Sequence, residues 1–161
     1  MPKSNFATAV KIVKGMPAAA DAAGRTSRGV TLKNATYATV IVSISQGNAA
    51  PVALTLLQAT NVAGAGAKPI TNPAPIWANL DTDASDTMVR QADGVSFTTD
   101  AAVKNKQIIF HVDPAYFDIA GGYDCLQVTT GASNAANITS VDILLEGHRY
   151  GSEPLPTAIV D

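Results

Sequence analysis

A two-residue alternation governs what this chain can fold into. Between Tyr37 and Ser45, Ala38, Val40, Val42 and Ile44 fall on one side, and Tyr37, Thr39, Ser43 and Ser45 on the other; only Ile41 is out of phase. That period belongs to a half-buried β-strand, because successive strand side chains point to opposite faces. The same pattern recurs. Val52, Leu54 and Leu56 share a face in 52–59, Ile108, Phe110 and Val112 in 107–112, and Val141, Ile143 and Leu145 in 140–149. Shorter strands are expected at 31–34, 76–80 (with Trp77, the single tryptophan), 87–91, 95–99 and 123–130. Pro114 to Asp118 reads as one helical turn closed by Gly121-Gly122. Many short strands with frequent turn signals, and no long amphipathic helix, define an all-β antiparallel β-sandwich. A jelly-roll-like topology is preferred over an immunoglobulin-like one, which lacks its paired cysteines here. Val40, Val42, Leu54, Leu56, Ile108, Phe110, Val141 and Ile143 hold the inward phase and are the expected core. Strands 37–45 and 52–59, joined through Gln46-Gly47-Asn48, read as a hairpin or near neighbours.

The chain has 161 residues, which suits one domain. Residues 1–28 read as an extended N-terminal arm, 29–151 as the sandwich, and 152–161 as an extended C-terminal tail stiffened by Pro154 and Pro156. In the arm, Phe6 to Val13 can pair as an edge strand, but Gly15-Met16-Pro17 is expected to break it, and Ala18 to Ala23 suffices for one helical turn, marginal without packing. Lys3, Lys11, Lys14, Arg25 and Arg28 against Asp21 give this region a net +4, and the rest of the chain carries −6. A basic arm on an acidic body points to an acidic partner surface. Lys3, Phe6, Val10, Lys11, Ile12, Lys14, Arg25 and Arg28 are therefore the candidate interface residues, the aliphatics as anchors and the cations as charge partners.

Charged residues make up 15% of the chain, against roughly 25% in an average domain. The 34 residues between Lys33 and Lys68 contain no charge, and neither does Cys125 to Val141. Free sheet edges are normally guarded by charge or proline. Unguarded stretches of this length point to strands covered by a partner, unless neighbouring strands of the same domain cover them.

Little in the sequence speaks for catalysis. Cys125 is the single cysteine, so no intrachain disulfide forms; it reads as a small buried apolar residue. There is no G-x-S-x-G elbow and no phosphate-cradling G-x-x-x-x-G-K. Gly64-Ala65-Gly66 precedes prolines rather than a helix and reads as a flexible loop. His111 and His148 fall on outward positions at strand ends. Asp81, Asp83 and Asp86 lack the glycine and terminal glutamate of a calcium loop. Asp118 and Asp124 flank a Gly-Gly turn and read as turn-stabilising. The expectation is a non-enzymatic protein with no catalytic residue, cofactor or metal. No apolar run approaches the ~18 residues a span needs, and Lys11 and Lys14 interrupt a would-be signal segment. Neither a membrane nor a nucleic acid is expected as a partner, and synthesis is expected in the cytoplasm.

Three segments carry a resemblance. Leu57-Gln58-Ala59-Thr60-Asn61-Val62-Ala63-Gly64-Ala65-Gly66-Ala67-Lys68 resembles a segment of small proteins encoded beside the major capsid gene of tailed phages. Tyr123-Asp124-Cys125-Leu126 is similar to their aromatic-Asp-Cys-aliphatic segment, and Glu146-Gly147-His148-Arg149-Tyr150 to their closing strand. The likeness spans residues 29–151. It implies a virion protein of the capsid decoration (cement) class, without catalytic residues. Such a protein would be a homotrimer seated on the major capsid protein at the capsid exterior, after assembly in the host cytoplasm. The basic N-terminal segment departs from that pattern. Two other readings stand beside it. One is a head–tail or tail component. The other is a carbohydrate-binding or adhesin sandwich, for which Trp77, Tyr116 and Tyr123 would have to form an exposed platform.

Overall fold

The computed structural model describes residues 5–149 and 154–161. Among them, strands form at β1 (Lys11–Ala20), β2 (Arg25–Thr26), β3 (Val30–Thr31), β4 (Tyr37–Gln46), β5 (Ala53–Ala59) and β6 (Lys68–Pro69). They continue with β7 (Ile76–Asn79), β8 (Val89–Arg90), β9 (Ser96–Thr98), β10 (Asn105–Val112), β11 (Cys125–Thr130) and β12 (Asn137–Glu146). A one-turn helix, α1 (Phe6–Ala9), precedes them, and two 3-10 turns, Pro114–Tyr116 and Ile119–Gly121, lie between β10 and β11.

The first sheet runs β1-β12-β4-β10-β7-β8. The second runs β2-β11-β5-β6, with β3 also on β11 and β9 also on β5. All of these pairings are antiparallel. In chain order the long strands switch sheets at each step: β4 first, β5 second, β10 first, β11 second, β12 first. The first strand then pairs with the last. That is the jelly-roll order on an all-β sandwich. All eight expected core residues are fully buried, joined by Ala38, Ile44, Ile76, Val112, Leu126 and Val128. Each large aliphatic or aromatic side chain withdrawn from water contributes about 1.5–3 kcal/mol.

Five expectations change. Residues 11–20 are not part of a free arm, because β1 is the edge strand of the first sheet, with Lys11 opposite Leu145 and Ala20 opposite Ile138. Gly15-Met16-Pro17 bulges the strand instead of breaking it: the register shifts between Lys14 and Met16 and again between Met16 and Ala19. A bulge passes an extra residue without losing the strand, and an edge tolerates a proline that cannot donate. The gain is core packing, since Val13 and Met16 are buried. The C-terminal tail likewise returns to the body, with Ala158 buried and its carbonyl accepting from the Thr31 N–H at 2.8 Å.

The expected hairpin of β4 and β5 does not form either, because the two strands lie in opposite sheets. Finally, the charge-free stretches are central strands. β4 lies between β12 and β10, β5 between β11 and the short β6 and β9, and β11 and β12 are flanked on both sides. Neighbours within the domain guard them, so their composition gives no sign of a partner.

Two charged groups sit inside this body. Lys106 shares the inward phase of Ile108 and Phe110, and its side chain is fully buried. Its ammonium donates to Gln46 Oε1 (2.9 Å), the Asp100 carbonyl (3.0 Å) and Asp100 Oδ1 (2.5 Å), which uses all three of its donors. Lys106 in turn holds the Asp100 carboxyl below the ordinary aspartate value of 3.8. A lowered folded-state value means that the unfolded chain binds the proton more readily, so this pair stabilises above the ordinary aspartate range and is lost as pH falls through the folded value. Melting temperature is expected to fall on acidification below about pH 4, and to fall less in Lys106→Met, where no buried ammonium is stranded. Equal acid sensitivity of the two proteins would remove this role. The second charged group, Asp21 with Arg25, closes the far end of the sandwich.

Candidate interaction site

Antiparallel pairing brings the start of β1, the start of β4 and the end of β12 to one end of the molecule, with Lys11 opposite Leu145 and Tyr37 opposite Glu146. The end of β5 and the start of β11 arrive at the same end, Ala59 opposite Cys125. The Leu32 N–H donates to the Asp124 carbonyl (2.9 Å) and the Arg149 N–H to the Asn34 carbonyl (3.0 Å), tying both sheets to the intervening loop. Residues 57–68, 123–126 and 146–149, far apart in sequence, therefore meet here; Tyr150 lies outside the described residues.

The 60–67 loop is held by hydrogen bonds rather than left flexible. The Thr60 N–H donates to the Ala65 carbonyl and the Ala65 N–H to Asn61 Oδ1, each at 3.0 Å. Gly64 has φ +86°, and a Cβ there would approach the Gln127 amide to 2.8 Å, so no other residue fits without rearrangement. Lys68 pairs with Asp118 (2.8 Å) and lies 4.2 Å over the Tyr123 ring. Asp118 also accepts from the Gly121 N–H at 3.0 Å, which caps the 3-10 turn. The Lys68 ammonium holds its carboxyl below the ordinary range. Lys33 pairs with Asp124 at 3.3 Å. Beside the Lys33–Asp124 pair opens a cleft of about 510 Å³, lined among others by Leu32, Lys33, Pro114, Ile119, Asp124 and Arg149. Ile119 is 58% exposed at its rim.

Beneath the cleft, Cys125 is fully buried and its thiol lies 3.2 Å from Asp124 Oδ1. Burial, reinforced by the Asp124 carboxylate, pushes the thiol up to about 12. The thiolate is the reactive form, so the folded protein is expected to resist iodoacetamide at pH ~8 and to label readily once unfolded. Equal labelling rates in the two states would refute this burial.

The candidate interface residues divide. Phe6 (57% exposed), half-buried Val10 and Lys11 stand at this end, and Lys11 Nζ donates to the Leu155 carbonyl at 3.3 Å. Ile12 and Lys14 follow on the outward phase of β1, Ile12 exposed and Lys14 paired with Asp142 at 2.6 Å. Arg28 is exposed, on the chain between β2 and β3. The Arg25 guanidinium is spent on Asp21 and on the carbonyls of Pro17, Ala19 and Thr139 of the same chain. Lys3 lies outside the described residues.

Most of the other residues singled out have structural partners. His111 packs on the Tyr37 ring with centroids 5.0 Å apart. His148 is half-buried, with Nε2 unpaired among the described residues. Asp81 pairs with Lys104, and Asp83 accepts from the Asn105 amide at 3.1 Å, tying the 81–86 loop to the start of β10. Trp77, Tyr116 and Tyr123 do not form a platform: Arg90 covers the Trp77 ring at 4.7 Å, and both tyrosines pack against the core. Among the described residues, no helix is long and apolar enough to cross a membrane.

No family model matches the chain, and no curated protein matches it. Among solved structures, the chain is similar to the SPBc2 prophage-derived protein YomS at 10% identity and a TM-score of 0.49, over 84% of this chain and 91% of that one. It is also similar to a putative sugar binding protein from Bacteroides thetaiotaomicron VPI-5482 at 12% identity and a TM-score of 0.32, over 77% and 66%. At these values neither likeness bears on what the chain does. Its class is defined by its own topology, a jelly-roll sandwich with a charged, apolar-rimmed cleft at one end.

Proposed function

We propose that the chain is a structural virion protein of a tailed phage, of the capsid decoration class, that seats this end of the sandwich on the major capsid protein. The observation that supports the reading is the convergence of the three resembling segments, 57–68, 123–126 and 146–149, on a single end of the fold. Phe6, Val10 and Lys11 stand at the same end, so hydrophobic anchors and charges are presented together. Exposed Ile119 and Phe6 would be desolvated in the contact, beside the charged groups Lys33, Arg149, Asp113 and Asp124 that line the cleft. The protein would bridge neighbouring capsomers as a trimer and add contact energy to the shell, without chemistry of its own.

Mass spectrometry of purified particles of the encoding phage tests the assignment, with the chain expected in stoichiometric amounts. Light scattering of the free protein should return three copies. The double variant Phe6→Asp with Ile119→Asp should fold normally and rebind stripped particles at least about tenfold more weakly, since both side chains are exposed in the free protein. Absence from particles would overturn the reading, and undiminished rebinding would overturn the seat.

A further inference from the structure

The outer face of the first sheet changes character along its strands. One row, in register from β7 to β1, reads Trp77, Ile109, Ile41, Asp142, Lys14, with large side chains on every strand but β12. The next row reads Asn79, Gln107, Ser43, Ser140, and the one beyond it Asn105, Ser45, Ile138. Ser43 and Ser45, on the central strand, are far smaller than the amides and Ile138 that flank them. The face therefore sinks into an open trough of about 610 Å³. The loop residues Thr82, Ser85 and Asp86 contribute on the β7 side and Ala18 of the bulged β1 on the other. The trough lies toward the opposite end of the sandwich from the proposed seat.

Three properties define what fits it. The Lys106 ammonium is drawn into the interior by Asp100 and Gln46, which leaves Asp86 as the one charged group of the lining free to face a ligand. A phosphate or a nucleic acid backbone would find no outward-facing cation in that lining among the described residues. Asn79 is held by the Ser85 carbonyl and the Asp81 N–H, and Asn105 by Asp83, so two amides are fixed in place. The Gln107 amide and the hydroxyls of Ser43, Ser45 and Ser140 have no partner among the described residues. Each of these groups both donates and accepts. Ile138, 36% exposed, adds an apolar wall beside them.

We propose that this trough binds a segment of a neutral glycan. Vicinal ring hydroxyls donate and accept at once, which matches carboxamides and serine hydroxyls, while the C–H face of a sugar ring packs on Ile138. A peptide is disfavoured, because an extended peptide gains affinity from main-chain pairing at a sheet edge and this face offers only side chains. The inference stands apart from the virion reading and uses none of the residues of the proposed seat.

Maltohexaose, cellohexaose and chitohexaose, titrated into the labelled full chain and followed by NMR, test it. At least one hexaose is expected to saturate, with shifts in the side-chain amides of Gln107 and Asn79. Ser43→Val raises the trough floor with a good strand former, and Gln107→Ala removes an uncommitted amide; each should weaken that binding at least about tenfold with the fold intact by circular dichroism. The proposal is overturned if no hexaose moves those amides, if binding survives both variants, or if a serine-rich peptide or heparin occupies the trough in place of the glycans.

Discussion

Replacing Phe110 by alanine is expected to cost about 3–5 kcal/mol of folding stability. Phe110 is fully buried on β10, with Val40 opposite it on β4 and Ile76 opposite it on β7. It stands in the inward phase of a strand held on both sides, so the surrounding backbone has little freedom to collapse into the space that alanine would leave. The loss combines the transfer energy of the ring with the cost of the cavity. Domains of this size are stable by only about 5–15 kcal/mol, so the variant would lose a large part of its margin. Ile109→Ala, one residue along and half-buried on the outer face, is the control and should cost far less. Urea unfolding of both variants checks the phase of the strand. Comparable losses would mean that the two faces of β10 are equally buried.

Arg25→Ala is expected to cost a similar ~3–5 kcal/mol, for an electrostatic reason. The Asp21 side chain is wholly buried and meets the Arg25 guanidinium at 2.9 Å, while Thr130 Oγ1 donates to the same carboxylate oxygen at 3.0 Å. Removing the guanidinium strands a carboxylate without its counter-charge. It also releases the carbonyls of Pro17 and Ala19 on β1 and of Thr139 on β12. One side chain thus fastens the edge strand, its neighbour and the second sheet together. Arg25→Lys should rescue only part of the loss, because an ammonium cannot reproduce the planar fork that reaches all four acceptors. A cost below about 1 kcal/mol for the alanine variant would mark the pair as surface-like. The same geometry bears on truncation. Deleting residues 1–24 removes β1 and Asp21 together, and so exposes the edge of β12 and leaves Arg25 without its carboxylate.

The long strands and their inward residues were legible because burial on one face imposes a period that no turn or helix shares. β4 and β10 were readable for that reason, and the core residues with them. Only the start of β1, up to Val13, reads as an edge strand; its continuation is hidden because two bulges interrupt its period where Gly15 and Pro17 stand, and a bulge leaves no local mark that separates it from a break. Lys106 was invisible as a core residue, since a lysine at the start of a strand normally ends the buried phase; of its partners, Gln46 lies on another strand far away in sequence and Asp100 in the loop just before β10. The charge-free stretches marked central strands because the same burial that removes charge from an interface removes it from the middle of a sheet. The end of the sandwich could be assembled only from registers such as Ala59 with Cys125, which no local pattern encodes. The trough escaped notice because Ser43 and Ser45 read simply as the polar side of a strand.

The pairing of Lys11 with Leu145 places the first and last strands of the body side by side, and it sets the order in which the molecule can form. β12 lies between β1 and β4, so the edge strand β1 stays separated from the rest of the first sheet until nearly the whole body has been synthesised. Until then β4 has an unpaired edge toward the missing strand, and β1 has no partner in the sheet. Contacts of this separation slow folding far more than they change stability, and they place the chain among the slow all-β folders, on the order of milliseconds to seconds. A nascent or partly folded chain is therefore a sticky species with open strand edges, and closure of the sheet is a single late event that waits on residues 137–146.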